Sequence, residues 1–356
     1  MINVTKSYLP PLEEYVKHLE GIWERVHLTN NGPLVQQLEQ DLKQYLGIDN
    51  LLYCGNGTIV LQMAIKALGL TKEIITTPFS YCASTNVILW ENCTPVFADI
   101  LPDDYTIDPA KIERLITENT EAILATHVYG NVCRVEEIEA IAQKHRLKVI
   151  YDGAHTFGTT YNGQSAFAYG DVSTCSFHAT KVFHTVEGGL VTSTDPVILD
   201  KIQQLRSFGH RFDDYLDYGI NGKNSELHAA MGLCLLPRVS DLIAARKERF
   251  GLYDTLLDFS ELQRPSLRPT VQYNYAYYPV VFRSEAKLLA AKAALEAEQI
   301  YPRRYFYPSL NQLPFLKSTQ PCPISEDIAL RVLCLPMYPD LEFENIEKTC
   351  KIINEL

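Results

Sequence analysis

The 356-residue sequence predicts an α/β fold, a mostly parallel seven-stranded sheet covered by helices, with a smaller C-terminal α+β domain. Three observations carry this prediction. Short apolar runs alternate with helix-patterned segments as far as residue 193, the mark of strand–helix–strand units and of a sheet covered on both faces. After about Pro237 the alternation stops, and long helical stretches flank an aromatic strand. A chain of this length also exceeds what a single hydrophobic core usually fills. The expected division is residues 1–240, with an N-terminal arm, and residues 241–356.

The arm takes the first thirty or so residues, which mix aromatic, proline and polar positions. Thr29-Asn30-Asn31-Gly32-Pro33 then opens an amphipathic helix. Proline suits a first helical turn, and Leu34, Leu38, Leu42 and Leu46 recur every four residues along one face. The candidate strands are Leu51–Cys54, Glu73–Thr77, Pro95–Ile100, Ala122–Thr126, Leu147–Asp152, Val172–Phe177 and Gly189–Ser193. Helical patterns lie at Thr58–Leu68, Pro109–Thr117, Val135–His145 and Pro196–Phe208, with Asp108-Pro109 reading as a cap and first turn. Further on come a helix through Ala244–Leu257, a strand at Tyr273–Phe282, and a helix from Ser284 that Pro302 ends. Sheets of this kind bind ligands beyond the carboxyl ends of their strands, so functional residues are expected there.

Composition narrows the function. The chain is 46% apolar and 21% charged, ordinary for a globular enzyme. A formal net charge of -11 argues against general affinity for nucleic acid or an anionic membrane, while leaving room for a locally basic pocket. No apolar run reaches the length needed to cross a bilayer, and Met1–Lys6 lacks the apolar core of a signal peptide. The nine cysteines are scattered singly, with no CxxC pair, so neither a metal site nor a disulfide framework is indicated. Reduced thiols in the cytoplasm are the expectation.

Three segments carry chemistry. In Tyr53-Cys54-Gly55-Asn56-Gly57-Thr58 a strand ends, two glycines turn, and a helix starts whose N–H groups suit a phosphate; such turns are also plain connections. In Leu147–His155 an apolar strand delivers Asp152 to its carboxyl end, followed by His155. A buried carboxylate needs a partner, and a protonated pyridine nitrogen is one; a helix cap is the plainer alternative. In Ser176-Phe177-His178-Ala179-Thr180-Lys181 a lysine follows an apolar strand among small neighbours. Desolvation there would lower its pKa, as a Schiff-base lysine needs, although most lysines are solvated. The order of phosphate turn, strand-end aspartate and lysine favours the chemical reading of all three.

With Thr77-Pro78-Phe79-Ser80-Tyr81 and Asn221-Gly222-Lys223-Asn224-Ser225-Glu226, these segments resemble the DegT/DnrJ/StrS family of sugar aminotransferases over nearly the whole chain. The resemblance implies an aspartate-aminotransferase-like fold (fold type I) that uses pyridoxal 5′-phosphate. It also implies a homodimer with shared active sites, taking L-glutamate as amino donor and a nucleotide-linked keto sugar as acceptor. Carried over by position, Lys181 is the catalytic, cofactor-bearing lysine and Asp152 the partner of the pyridine nitrogen. His155 lies near the phenolic oxygen and Tyr81 stacks on the ring. Gly57, Thr58 and Ser176 hold the phosphate, joined by Asn221 from the second subunit. The stretch Arg303–Asn311 resembles the segment that meets the sugar, which makes Arg303, Arg304, Tyr307 and Asn311 substrate candidates. Guanidinium groups suit a diphosphate, and an ion pair within the fold is an equal alternative for either arginine. Many members carry histidine where Asn311 stands, a departure shared with viosamine-type enzymes that aminate a dTDP-linked 4-keto-6-deoxy sugar. The product expected is a 4-amino-4,6-dideoxy sugar for surface polysaccharide. The alternatives are amination at C3, a dehydratase on the same fold, which Lys181 opposes, and a ligand sensor without catalysis.

Overall fold

All seven apolar runs become strands of one sheet in this computed structural model, which describes residues 1–317 and 320–356. They are β1 (Leu51–Cys54), β2 (Glu73–Thr76), β3 (Thr94–Phe97), β4 (Thr120–Thr126), β5 (Lys148–Asp152), β6 (Val172–Ser176) and β7 (Gly189–Thr192). Their order across the sheet is β1-β7-β6-β5-β4-β2-β3. From β6 to β3 every pairing is parallel, and β7 runs antiparallel to both its neighbours. Strands buried on both faces need apolar residues at nearly every position, which is why they read as continuous runs.

The register decides where the chemistry gathers. Thr126 at the end of β4 pairs with Asp152 at the end of β5. Asp152 in turn pairs with Thr174 of β6, and Gly189 at the start of β7 pairs with both Ser176 and Cys54. One edge of the sheet therefore lines up a threonine, an aspartate, a serine and a glycine. Behind that edge lies helix Gly57–Ala67, apolar on most faces and buried through Val60, Leu61, Met63, Ala64 and Ile65.

A second core gathers Phe250, Tyr253, Tyr278, Val280, Leu333 and Ile346 with their neighbours. Its sheet has Tyr278–Phe282 in the centre, antiparallel to Leu262–Gln263 and Val332–Leu335. Helix Val239–Leu256 links the two cores, with Val239 in one and Phe250 and Tyr253 in the other.

Three expectations are corrected. The arm holds a helix, Leu12–Arg25, which starts after Pro11 without a side-chain cap and so lacked a start signal. The aromatic strand begins at Tyr278 rather than Tyr273. Tyr275 has left-handed backbone (φ 54°) and buried Asn274 spends its amide on the carbonyls of His155 and Phe157, so the ladder cannot extend there. Finally, the helical run Glu226–Leu256 is long and apolar enough, by length and composition, to cross a bilayer. It is two helices joined at Leu236–Arg238, and its first half packs against Pro33–Leu46 and Leu12–Arg25. Averaged hydropathy finds what an unbroken apolar run misses, because Arg238 and Asp241 interrupt the run.

Candidate active site

A cavity of about 720 Å³ opens at this edge, between the strand ends and the C-terminal segment. Gly57, Thr58, Tyr81, Asp152, Ser176 and Lys181 line one side; Tyr277, Arg303, Tyr305 and Phe306 line the other.

Asp152 is 5% exposed, and both its oxygens are held. Oδ1 accepts from the Ala154 N–H at 3.0 Å and Oδ2 from the Ser84 hydroxyl at 2.9 Å. Ser80 joins that hydroxyl to Thr126 through two further 2.9 Å contacts. No helix starts after Asp152, so the capping alternative fails; the bond to Ala154 closes only a turn. Burial raises the Asp152 pKa, against the bonds from Ala154 and Ser84 and the charge of Lys181. The site thus holds a carboxylate that a facing positive charge would stabilise.

Lys181 reaches the same space from the loop after β6. Burial lowers its pKa, but Tyr277, Asp152 and Cys175 more than offset this, and the balance lies above the ordinary lysine value. The expected lowering is therefore not found in the ligand-free chain: an apolar strand and small neighbours revealed the desolvation, but not the groups facing the amine. His155, also 5% exposed, accepts the Tyr129 N–H at Nδ1 (3.2 Å). In the neutral ring the proton then sits on Nε2, which makes that nitrogen a donor. Burial and the Lys181 charge hold the His155 pKa well below the usual histidine value, so the ring stays neutral.

At the turn Gly55–Thr58, Asn56 caps the helix through the Ile59 N–H (2.8 Å). A Cβ on Gly57 would lie 2.6 Å from the Ser176 Cβ, so only glycine lets the helix start approach β6 this closely. Tyr81 stands at the mouth and is 59% exposed.

The remaining candidates divide. Arg303 lines the cavity and is exposed. Arg304 turns away: it donates to Glu285 (2.8 Å) and to the Leu330 carbonyl (3.0 Å), and its guanidinium lies 3.6 Å from the Tyr307 ring centre. Asn311 is buried and donates to the Gln320 carbonyl and to Glu326. Arg304, Tyr307 and Asn311 thus do not line the cavity, which departs from the substrate role expected of them. Asn221 is exposed and lies outside this chain's cavity wall, while its neighbour Gly222 accepts the Gly55 N–H at 2.8 Å.

The sequence profile of the DegT/DnrJ/EryC1/StrS aminotransferase family matches residues 12–354. The chain belongs to that family. A dTDP-4-amino-4,6-dideoxy-D-glucose transaminase of Shigella dysenteriae is 38% identical over 362 residues, covering 100% of this chain and 99% of that protein. A GDP-perosamine synthase of Escherichia coli O157:H7 is 30% identical over 96% of this chain and 94% of its own length. The solved structure of DesI with its TDP-sugar product superposes with a TM-score of 0.94 at 28% identity, covering 99% of this chain and 92% of that one. This family member is accordingly a pyridoxal-phosphate-dependent aminotransferase with the aspartate-aminotransferase-like fold. Ser84, Tyr277 and Phe306 also contribute to the site, and none of them was singled out in the sequence. Ser84 lies on helix Ala83–Trp90, which carried no start signal. Tyr277 and Phe306 arrive from the C-terminal third, where only packing brings them to the strand ends.

Proposed function

We propose that the enzyme transfers an amino group from L-glutamate to a dTDP-linked 4-keto-6-deoxy sugar, giving a 4-amino-4,6-dideoxy sugar for surface polysaccharide. The observation that carries this reading is the meeting of Lys181 and the buried Asp152 in one cavity, beside a helix start that only glycine permits. Among relatives, the dTDP-sugar transaminases at 38% identity stand above the GDP- and UDP-sugar enzymes at 28–30%, which favours the dTDP-linked 4-keto acceptor.

Pyridoxal phosphate, when bound, supplies the electron sink that stabilises charge on the substrate carbon. The residues present fit that group. Asp152, fixed by Ser84 and Ala154, would hold the ring nitrogen protonated, and its own burial cost would fall as it did so. Gly57, Thr58 and Ser176 would take the phosphate at the positive end of helix Gly57–Ala67. His155 Nε2 would donate to the phenolic oxygen, and the exposed face of Tyr81 would stack on the ring. Lys181 would carry the cofactor and, once released, its Nζ would take the donor's Cα proton and later return one to the sugar carbon. Arg303 would meet the nucleotide diphosphate.

Assembly as a homodimer is part of the proposal. Phe208, Phe212, Tyr215, Leu216 and Tyr218 stand at 50–96% exposed on and around the hairpin His210–Tyr215, near Asn221 in sequence, an apolar surface that a second copy would cover. Asn221 would then reach the second copy's phosphate site. We take residues 1–240 and 241–356 as the two domains, with helix Val239–Leu256 as their common spine. Nine free thiols, eight of them buried, fit a reducing cytoplasm.

The test is incubation of the enzyme with L-glutamate and a panel of dTDP-, UDP- and GDP-linked keto sugars, with products identified by NMR. A C4 amine on the dTDP sugar is expected. Amination at C3, or deoxygenation without amine incorporation, would refute the reading.

A further inference from the structure

The proposed reaction uses Lys181 twice, as the cofactor's anchor and then as a free base, and the structure holds a group that meets the free amine. Lys181 Nζ lies 3.4 Å from the Tyr277 hydroxyl. Tyr277 precedes the central strand of the small sheet and is 7% exposed. Its ring meets His155 at 4.8 Å and Tyr305 at 5.8 Å, both edge-on, so its direction is fixed by packing. Beside it a recess of about 10 Å³, lined by Ala154, Phe157, Val182 and Ala276, has room for little more than one water.

We propose that Tyr277 is a positioning residue, the dock to which the Lys181 amine returns when the cofactor releases it. The four-carbon stem of lysine is flexible, and a free amine without a partner would sample many rotamers. The Tyr277 oxygen accepts one N–H and so confines Nζ to the cavity wall, within reach of the substrate carbon. Asp152 cannot do this once it faces the ring nitrogen, and both its oxygens already have donors. His155 cannot either: its Nδ1 is occupied by Tyr129 and its Nε2 is a donor. Nor is the Cys175 thiol suited: burial pushes its pKa far up, leaving a neutral, weak acceptor. The same contact favours the charged amine, in line with the raised Lys181 pKa. This inference rests on Lys181 being the cofactor-bearing lysine, as proposed above.

Tyr277→Phe keeps the ring and its aromatic contacts and removes only the oxygen. In cofactor-stripped enzyme, acetic anhydride labelling of Lys181 across pH, mapped by mass spectrometry, reads the amine's titration directly. Asp152, His155, Cys175, Tyr305 and Tyr277 are the titratable groups that face it. Four of them stay in the variant, so a shift reports on the fifth. The midpoint is expected to fall by about one pH unit, the size of a lost hydrogen bond to a charged group. With cofactor restored, the single-turnover rate with L-glutamate should fall about tenfold, with the half-saturating glutamate concentration unchanged. An unmoved labelling midpoint overturns the proposal and leaves Tyr277 as packing, as does an unchanged single-turnover rate. Borohydride reduction of wild-type holoenzyme with peptide mapping separates the two hypotheses. Cofactor fixed on a residue other than Lys181 would refute the functional reading itself, whatever Tyr277 does.

Discussion

The two walls of the cavity are built by different means. The sheet-side wall consists of Gly57, Thr58, Tyr81, Asp152 and Ser176, each within a step or two of a strand end or helix start, and of Lys181, five residues past the end of β6. The facing wall consists of Tyr277, just before the strand Tyr278–Phe282, and of Arg303, Tyr305 and Phe306 from the irregular segment after Ile300–Tyr301. Parallel strands must align their carboxyl ends, so the sheet-side wall follows from the chain's periodicity. The facing wall is aromatic and sits where packing presses it, with Phe306 edge-on to Phe79 and stacked over His155. On the proposed function, the first wall carries the chemistry and the second confines it. Substitutions should separate them.

The largest effect belongs to Lys181→Ala, which should abolish turnover and the absorbance of lysine-bound cofactor while the phosphate still holds the cofactor in place. An active Lys181→Ala enzyme would collapse the distinction between the walls. Asp152→Asn comes next. Losing one member of a buried charge pair costs about 3–5 kcal/mol, or roughly 10²- to 10⁴-fold in turnover. The same variant has a pH signature. Because the Asp152 pKa is raised in the folded, cofactor-free chain, ionisation there opposes folding. The stability associated with its protonated form is complete below about pH 4 and is lost as pH rises through the folded-state pKa. Cofactor-free Asp152→Asn should therefore melt higher than wild type at pH 8, by roughly 2 °C, and with no difference near pH 3. Calorimetry at the two pH values checks the sign.

Asn221→Ala should weaken cofactor affinity by about ten- to a hundredfold, the loss of one hydrogen bond to a charged phosphate, while the dimer survives. Sedimentation of the wild type and a cofactor titration of the variant test both halves; unchanged affinity removes Asn221 from the site. The smallest effects sharpen the contrast within the facing wall. Arg303→Ala should raise the sugar-nucleotide KM about tenfold at constant kcat, as an exposed contact to phosphate would. Its neighbour Arg304, joined to Glu285 and the Leu330 carbonyl, should give the opposite result. Arg304→Ala should cost about 1–3 kcal/mol of stability and leave KM unmoved. Equal KM effects at both positions would show that the segment rearranges around its substrate.

Most helices and strands of the first 210 residues were legible because they carry their own signals: Pro33 and four spaced leucines, Asp108-Pro109, and apolar runs bounded by turns. Helix Leu12–Arg25 escaped because it begins without a side-chain cap, and the aromatic strand was read too long because Asn274 and Tyr275 look like strand residues. Asn274 behaves otherwise only because the backbone of His155 and Phe157 lies within reach of its amide.

What the sequence determined by itself is the sheet, the order of the residues along its active edge and, through its motifs, the family. These are local in origin: a strand end places its next residue at the sheet edge whatever the rest of the chain does. The tertiary structure alone decided which arginine faces the cavity, that Asn311 is a buried tie to Glu326, and that Tyr277 meets Lys181. Lys181 and Tyr277 are 96 residues apart in sequence. No periodicity or spacing encodes such a meeting, because it depends on how distant segments pack against one another.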